Sequence, residues 1–442
     1  MRNVQIGHIP REQTESGWFA TLGDAPPARE LEGTGHYDWL VVGGGWMGLH
    51  AAHRLADLRP NDRIALVDAG RIGNNAAGRC AGFALDVIPR PAKRYTALDV
   101  ERDLEEIHVN REGIDYIREC IRRHDIHCDW NQQGKIHATA SPAGRRRLQS
   151  VAAILGRLGE DCGWLDARAM REITGTAFYD CGVYTPGAAL LQPAAYLREL
   201  ALKLPDNITV FENSPIREVE YGIDEHCCRT QRGAIVAGQL LLATNAFLPQ
   251  FGFYRRHSIP VYTYASLTRP LSESELRDAG HPAEFGVVPV NRFGTTLRRT
   301  ADNRLFVRNF FAYAPRYRSM PSAFTKAIRH HHHALARRYP AIASIGFEHS
   351  WGGILGLSAN GGMVFGRMAK GVYATSLCNG VGVARGATFG KALAEYACGA
   401  SSRTIEILRN RQAPTRRWPN AITRFGVGCV TTWRLYQARE EI

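Results

Sequence analysis

Three glycines, Gly43, Gly45 and Gly48, and an acid twenty residues further on, Asp68, are the residues whose spacing most directly suggests chemistry. They match G-x-G-x-x-G. The first glycine allows a tight turn, the second lets backbone approach a pyrophosphate, and the third lets a helix pack on a strand. A diphosphate would sit on the free N–H groups and positive dipole end of a helix starting here, beside Trp46 and Met47. The Asp68 carboxylate would accept hydrogen bonds from ribose hydroxyls. Glycines alone would also suit a tight turn with no ligand. The flanking pattern favours dinucleotide binding.

That pattern is strand, turn, helix, strand. Residues 39–42 are an apolar run, 49–58 carry helix formers with apolar residues at helical spacing, and 63–68 read as a second buried strand ending in the acid. Directly after it, residues 71–82 are crowded with small side chains and should lie across the same ligand. A second strand–glycine–helix unit follows more than 300 residues later: strand 371–376, turn 377–382, helix 383–398. A single ligand long enough to need both units is FAD. A simple nicotinamide enzyme would not need the second.

Residues 1–36, polar and rich in Gly and Pro, read as an extended arm. Helices are expected at 99–124, 142–159, 193–203 and 322–338, and strands at 134–138, 208–219 and 239–246, the last returning to the first sheet. Strand-like runs within 257–313 suggest a second sheet.

With 442 residues, 45% apolar and 22% charged, the chain suits two globular domains. No apolar run approaches the roughly eighteen residues that span a bilayer, and residues 1–21 lack the apolar core of a secretory signal, so no membrane association and a cytoplasmic location are expected. Ten scattered cysteines without a C-x-x-C pair read as reduced structural thiols. The net charge of +13 favours anionic small molecules, and no nucleic-acid motif accompanies it. His330 to His333 lie in an expected helix where only residues three or four apart share a face. No carboxylate or Cys completes a zinc set, so a solvated helix face and no metal are expected. His50 and His53 read as packing or surface residues.

The chain resembles the D-amino-acid oxidase and glycine oxidase superfamily of flavoproteins, and within it the γ-glutamylputrescine oxidase-like group. The resemblance rests on Ser16-Gly17-Trp18-Phe19 and Pro26-Pro27 before the first strand, Asp38 to Gly48, and Arg71-Ile72-Gly73 with Ala76 to Gly82. It continues in Ala243-Thr244-Asn245-Ala246-Phe247-Leu248-Pro249, Ser350-Trp351-Gly352-Gly353 and Cys378 to Ala384. It implies an α/β fold, with a doubly wound FAD-binding domain built from residues 37–90, 150–250 and 345–400. The implied antiparallel substrate domain takes 91–149 and 251–344, and 401–442 form a C-terminal segment. Gly43, Gly45 and Gly48 would hold the pyrophosphate, Asp68 the adenosine ribose, and Ala77-Gly78-Arg79 the flavin-side phosphate and ring edge. Gly380 to Val383 would meet the isoalloxazine carbonyl end, where a helix N-terminus stabilises negative charge on reduced flavin. Ala69, Arg71, Cys80, Ala243, Thr244, Trp351, Asn379, Val381 and Gly382 complete the implied cofactor set. Ala77 stands where relatives have Ser, Cys80 where they have Asn, Ala81 where they have Gly, and Val381 where His is frequent. These departures leave substrate and oxidant open. Because 351–363 hold no Cys, noncovalent FAD is expected, with Cys378 the alternative attachment point.

The implied activity is oxidation of an amine or amino acid to an imine or aldehyde, with oxygen as oxidant favoured over a quinone. The alternatives are a dehydrogenase serving an electron carrier, or an inactive flavin-binding sensor or assembly protein. Arginine is the usual carboxylate clamp, because its planar fork makes two parallel charge-assisted bonds. Arg298, Arg299 and Arg308 are the candidates, and strand register decides whether Arg298 and Arg308 face a substrate. Tyr262 and Tyr264 are pocket wall or core packing. Trp351 is a flavin neighbour or core packing.

Overall fold

Leu40, Val41 and Val42 point alternately into two apolar layers because their strand, Gly33–Val42, lies inside a nine-stranded sheet covered on both faces. The structure, a computed structural model, describes residues 2–24, 26–89, 94–417 and 420–442. Parallel partners flank this strand: Gly233–Leu242 on one side, Ile64–Val67 and then Ile208–Phe211 on the other. Val372–Ser376 adds in parallel to Gly233–Leu242, and an antiparallel ribbon of His226–Arg229, Glu218–Tyr221 and Arg2–Gln5 extends the sheet. Fully burying one such Val or Leu contributes about 2 kcal/mol.

On one face, helix Trp46–Leu58 crosses helix Val383–Ala397 so closely that a Cβ on Gly390 would lie 2.0 Å from the Met47 carbonyl oxygen. The long helix Ala97–His124, started by a Thr96/Asp99 capping box, packs beside them. Its Ile114, Ile117 and Cys120 share one apolar cluster with Leu49, Leu55 and Leu393.

The second sheet has eight strands in the order His349–Leu357, Ile259–Leu267, Leu305–Tyr313, Thr296–Arg299, Phe285–Pro289, Lys135–Thr139, Cys181–Thr185, Gly163–Asp166. All its pairs are antiparallel except Phe285–Pro289 with Lys135–Thr139. Helix Pro321–Arg338 covers its far face.

Several expected boundaries are corrected. The stretches holding Gly163–Asp166, Cys181–Thr185 and His349–Leu357, expected within the FAD-binding domain, are strands of the second sheet. Ala97–His124, expected with the substrate domain, packs on the nucleotide-side helices. The single strand expected at 208–219 is two, at opposite margins of the first sheet, separated by a turn in which Asn213 adopts φ 49°. The arm is not outside the fold, since Arg2–Gln5 is a strand of the first sheet and Trp18 is buried. The tail docks on the second sheet, where Thr295 N–H donates to the Glu441 carbonyl.

The helix crossing gives a contrast in one residue type. Gly390→Ala should cost about 3 kcal/mol or more, because backbone must move to admit the methyl. Gly156→Ala, exposed in helix Pro142–Leu158 with nothing within 4 Å of the new Cβ, should gain up to about 1 kcal/mol. Urea unfolding of both variants checks this. A second outcome concerns pH. Burial holds His50 and His331 down at about 3, and His53 at about 4. Between pH 6.5 and 4 the unfolded chain therefore binds protons there that the folded chain does not, so these groups lower stability as pH falls through that window. His331→Gln should flatten the slope between pH 6.5 and 5.5 by up to one proton.

Candidate functional site

The turn after Gly33–Val42 is built from contacts only glycine permits. Gly43 adopts φ 105°, and a Cβ on Gly48 would lie 1.6 Å from the Gly43 carbonyl oxygen. Gly45 is the N-cap of helix Trp46–Leu58 and no side chain caps it, so the first N–H groups of that helix are open to an anion. Asp68 braces the turn. Its Oδ2 accepts from Gly44 N–H at 2.7 Å and from Asn75 Nδ2 at 3.1 Å, and its Oδ1 accepts from Gly70 N–H at 2.9 Å. Burial raises this carboxyl above its usual range although the three bonds oppose that.

Helix Val383–Ala397 begins at Gly382, again with no side-chain cap. Asn379, at φ 54°, shapes the preceding turn: its Oδ1 accepts from Ser358 N–H at 2.9 Å and its Nδ2 donates to Gly361 O at 3.0 Å.

Both helix starts open on one cavity of about 570 Å³. Of the expected cofactor residues, Gly43, Gly45, Trp46, Met47, Asp68, Ala69, Arg71 and Ala77 line it, as do Arg79, Cys80, Ala243, Thr244, Gly380, Val381, Gly382 and Val383. Gly48, Gly78, Asn379 and Trp351 do not. Gly48 and Gly78 act as close contacts behind the wall, and Asn379 holds its turn. Trp351 is fully buried against Trp18 and Phe306 and donates from Nε1 to Arg79 O at 3.1 Å, so its part is core packing.

Two arginines are already engaged by protein atoms. Arg79 donates to Asn74 O, Gly352 O and Thr14 O at 2.8, 3.0 and 2.7 Å, so its guanidinium ties three segments together behind the cavity wall. Arg71 pairs with Glu212 at 3.2 Å. Arg298, expected as a carboxylate clamp, is 1% exposed and donates to Leu191 O at 2.7 Å and Ala81 O at 3.1 Å, under Trp18. It is a structural cation and does not reach the cavity. Arg299 lies outside it too, bonded to Asn303.

Arg308 is different. It lines the cavity beside Thr296, its cross-strand neighbour, and Thr263. Phe311 lies under its guanidinium at 4.6 Å. Among the described residues no carboxylate pairs with it, and burial alone pushes its pKa down to about 10. Tyr262 and Tyr264 are core: alternation turns Thr263 to the cavity and the two tyrosines to the opposite face, where Tyr264 OH meets Ser319 Oγ at 2.9 Å.

Cys378 and Cys80 line the cavity as thiols whose pKa burial raises, Cys80 to about 11. Among the described residues no group of three or more His, Cys, Asp or Glu is placed to hold a metal ion, and no helix is long and apolar enough to cross a membrane. The histidine run is not uniformly solvated, since His331 is buried with Nδ1 2.7 Å from Ser266 Oγ. His50 and His53 are packing residues, bonded to Tyr196 and Tyr116 hydroxyls.

Other lining residues were absent from the expected set: Asn75, the turn Asn213 to Ile216, Thr263, Thr296, Gly353 to Leu355, and five residues of the arm. The Asn213-Ser214-Pro215 turn was findable, because loops at the carboxyl ends of parallel strands meet ligands in such sheets.

The residues present fit a dinucleotide. Two uncapped helix starts, a turn a Cβ would block and an acid bracing that turn open on a single long cavity. The comparisons agree. Gamma-glutamylputrescine oxidoreductase of Escherichia coli is 26% identical over 406 residues, covering 89% of this chain and 91% of that one. The probable oxidoreductase OrdL of Haemophilus influenzae is 25% identical over 405 residues, covering 88% of each. The structure of glycine oxidase from Geobacillus kaustophilus superposes with a TM-score of 0.71 at 18% identity, covering 87% of this chain and all of that one. Residues 38–396 match the DAO family of FAD dependent oxidoreductases, and the chain belongs to that family.

Proposed function

We propose that the chain oxidises a C–N bond of a small amine or amino acid that carries a carboxylate, with Arg308 as the anchor for that carboxylate. One observation carries the reading. The charged groups Glu12, Asp68, Arg71 and Arg79 that line the cavity all have partners within the protein, and Arg308 has none among the described residues. An unpaired guanidinium in a desolvated wall is costly to maintain and binds a carboxylate strongly. Its relatives include a glycine oxidase and a gamma-glutamylputrescine oxidoreductase, in keeping with amine-bearing substrates.

Bound FAD supplies a two-electron acceptor. Gly43, Gly45 and the first turn of Trp46–Leu58 would hold its pyrophosphate, and Asp68, which braces that turn, would lie on the ribose side. The start of Val383–Ala397 places positive dipole where negative charge develops on reduction. Arg308 and Thr296 orient the substrate from the sheet wall. The buried surroundings exclude water, and the imine product hydrolyses once released. With oxygen as the oxidant, the two electrons taken from the substrate would leave as hydrogen peroxide. The cofactor is held noncovalently: residues 351–363 hold no Cys, and burial, which raises the Cys80 and Cys378 thiols, disfavours the nucleophilic thiolate.

Acid precipitation of the purified protein should release yellow flavin into the supernatant. Colour retained in the pellet would make Cys378 the residue to mutate. Anaerobic mixing with a panel of amines should bleach the flavin fastest for those bearing a carboxylate, and peroxide should appear when air is admitted. Rapid dye reduction without peroxide would identify a dehydrogenase instead.

Arg308→Met should raise KM for a carboxylate substrate by roughly 10–100-fold, the effect of losing a charged hydrogen-bonded pair, and leave its decarboxylated analogue nearly unchanged. It should not lower the melting temperature, because it removes a half-buried cation with no carboxylate partner among the described residues. Arg298→Met should instead cost about 3 kcal/mol of stability by stranding buried carbonyls. Equal KM effects on both substrates would remove Arg308 from the carboxylate site.

A further inference from the structure

One wall of the cavity comes from outside the nucleotide-binding units. Ile6, His8, Ile9, Pro10 and Glu12, all from the N-terminal arm, line it opposite the glycine turn. The arm is fastened at two places. At one, Arg2–Gln5 pairs with Glu218–Tyr221 and Ile6 N–H donates to Arg217 O at 2.8 Å, next to the lining turn Asn213 to Ile216. At the other, Arg79 donates to Thr14 O at 2.7 Å and stands 3.7 Å from the Glu12 carboxylate. There Thr14 Oγ1 also donates to Ser350 O at 3.0 Å, and buried Trp18 donates to Cys80 O at 2.8 Å.

Between these anchors the arm is held lightly. His8 N–H donates to Gln250 Oε1 at 3.2 Å, and the Tyr262 hydroxyl reaches Arg11 O at 3.5 Å. Its lining side chains are mostly apolar, so this stretch covers a ligand and does not read a phosphate. The outer anchor is a four-residue edge strand with exposed Arg2, Asn3 and Gln5, held by buried Val4 and Ile6 and by Arg2 donating to Gly252 O at 2.7 Å; an edge strand this short opens before the sheet it joins. At the inner anchor Arg79 and Trp18 are buried, Glu12 is half-buried and Thr14 is exposed. The glycine turn and this segment thus line the same cavity.

We propose that the N-terminal arm is a retaining strap for the cofactor: FAD enters while the outer strand is undocked, and its release is limited by undocking of that strand. This rests on the FAD assignment and is independent of the substrate. It makes residues 2–12 part of the cofactor site, although they lie outside the part of the chain matched to the family.

The test loads the full-length protein with FAD and follows the rise of flavin fluorescence after dilution into excess scavenging apoflavoprotein. Removing residues 2–12, which leaves Trp18 in place, should speed release at least about tenfold. Gln5→Cys with Glu218→Cys, a directly opposed cross-strand pair, should slow release by a similar factor when oxidised, and dithiothreitol should reverse it. The stapled pair decides the matter if the shortened chain does not fold. Release rates within twofold of the parent, in the truncated and the stapled protein, would overturn the strap while leaving FAD binding intact. A full-length chain that takes up no FAD would overturn the cofactor assignment itself, and the strap with it.

Discussion

The geometry of this protein hangs on a single backbone contact. The Gly43 carbonyl occupies the space where a side chain at residue 48 would begin, so strand Gly33–Val42 and helix Trp46–Leu58 meet with almost no separation. From that contact follow the uncapped helix start, the short reach by which Asp68 accepts from Gly44 N–H, and the depth at which helix Val383–Ala397 crosses. A larger residue at position 48 would push the helix outward and carry the cavity floor with it. Stability and ligand geometry are thus set by the same few atoms, and selection on one acts on the other.

Buried cations show how similar residues come to opposite uses. Arg79 and Arg298 are buried and solvated by protein carbonyls, whereas Arg308 is half-buried at the cavity with no carboxylate partner among the described residues. Solvated by backbone, a guanidinium is a strut joining loops that have no regular structure of their own. Left open, it is a standing electrostatic cost that only a ligand offsets. In this chain that open guanidinium stands at one point of one wall of the cavity.

Much of this was legible in the chain itself, for identifiable reasons. The glycine turns and Asp68 are local: their meaning depends on residues within one βαβ unit, and the spacing carries it. The elements flanking them, such as 142–158 and 383–397, are long and periodic, and emerged near their expected limits. What was not legible depends on distant partners. Gly163–Asp166 and Cys181–Thr185 are short, and only the pairing of Cys181–Thr185 with Lys135–Thr139, and of Gly163–Asp166 with Cys181–Thr185, assigns them to the second sheet. The choice between Arg298 and Arg308 was closed to sequence reading because register puts both on one face. The difference lies in what covers each, the Trp18 segment in one case and open space in the other. Thr263 escaped notice between two tyrosines because bulk suggested a pocket wall, where alternation instead sent the small residue inward.

The first sheet joins strands from both extremes of the chain: Arg2–Gln5, Gly33–Val42, Ile208–Phe211, Gly233–Leu242 and Val372–Ser376. Gly33–Val42 has both its neighbours only once about 240 residues have left the ribosome, and Gly233–Leu242 waits for Val372–Ser376, about 370 residues in. During synthesis the apolar end of Gly233–Leu242 must therefore wait, exposed, for a late partner. A chain with so much non-local pairing folds slowly and spends that interval open to association with other nascent chains.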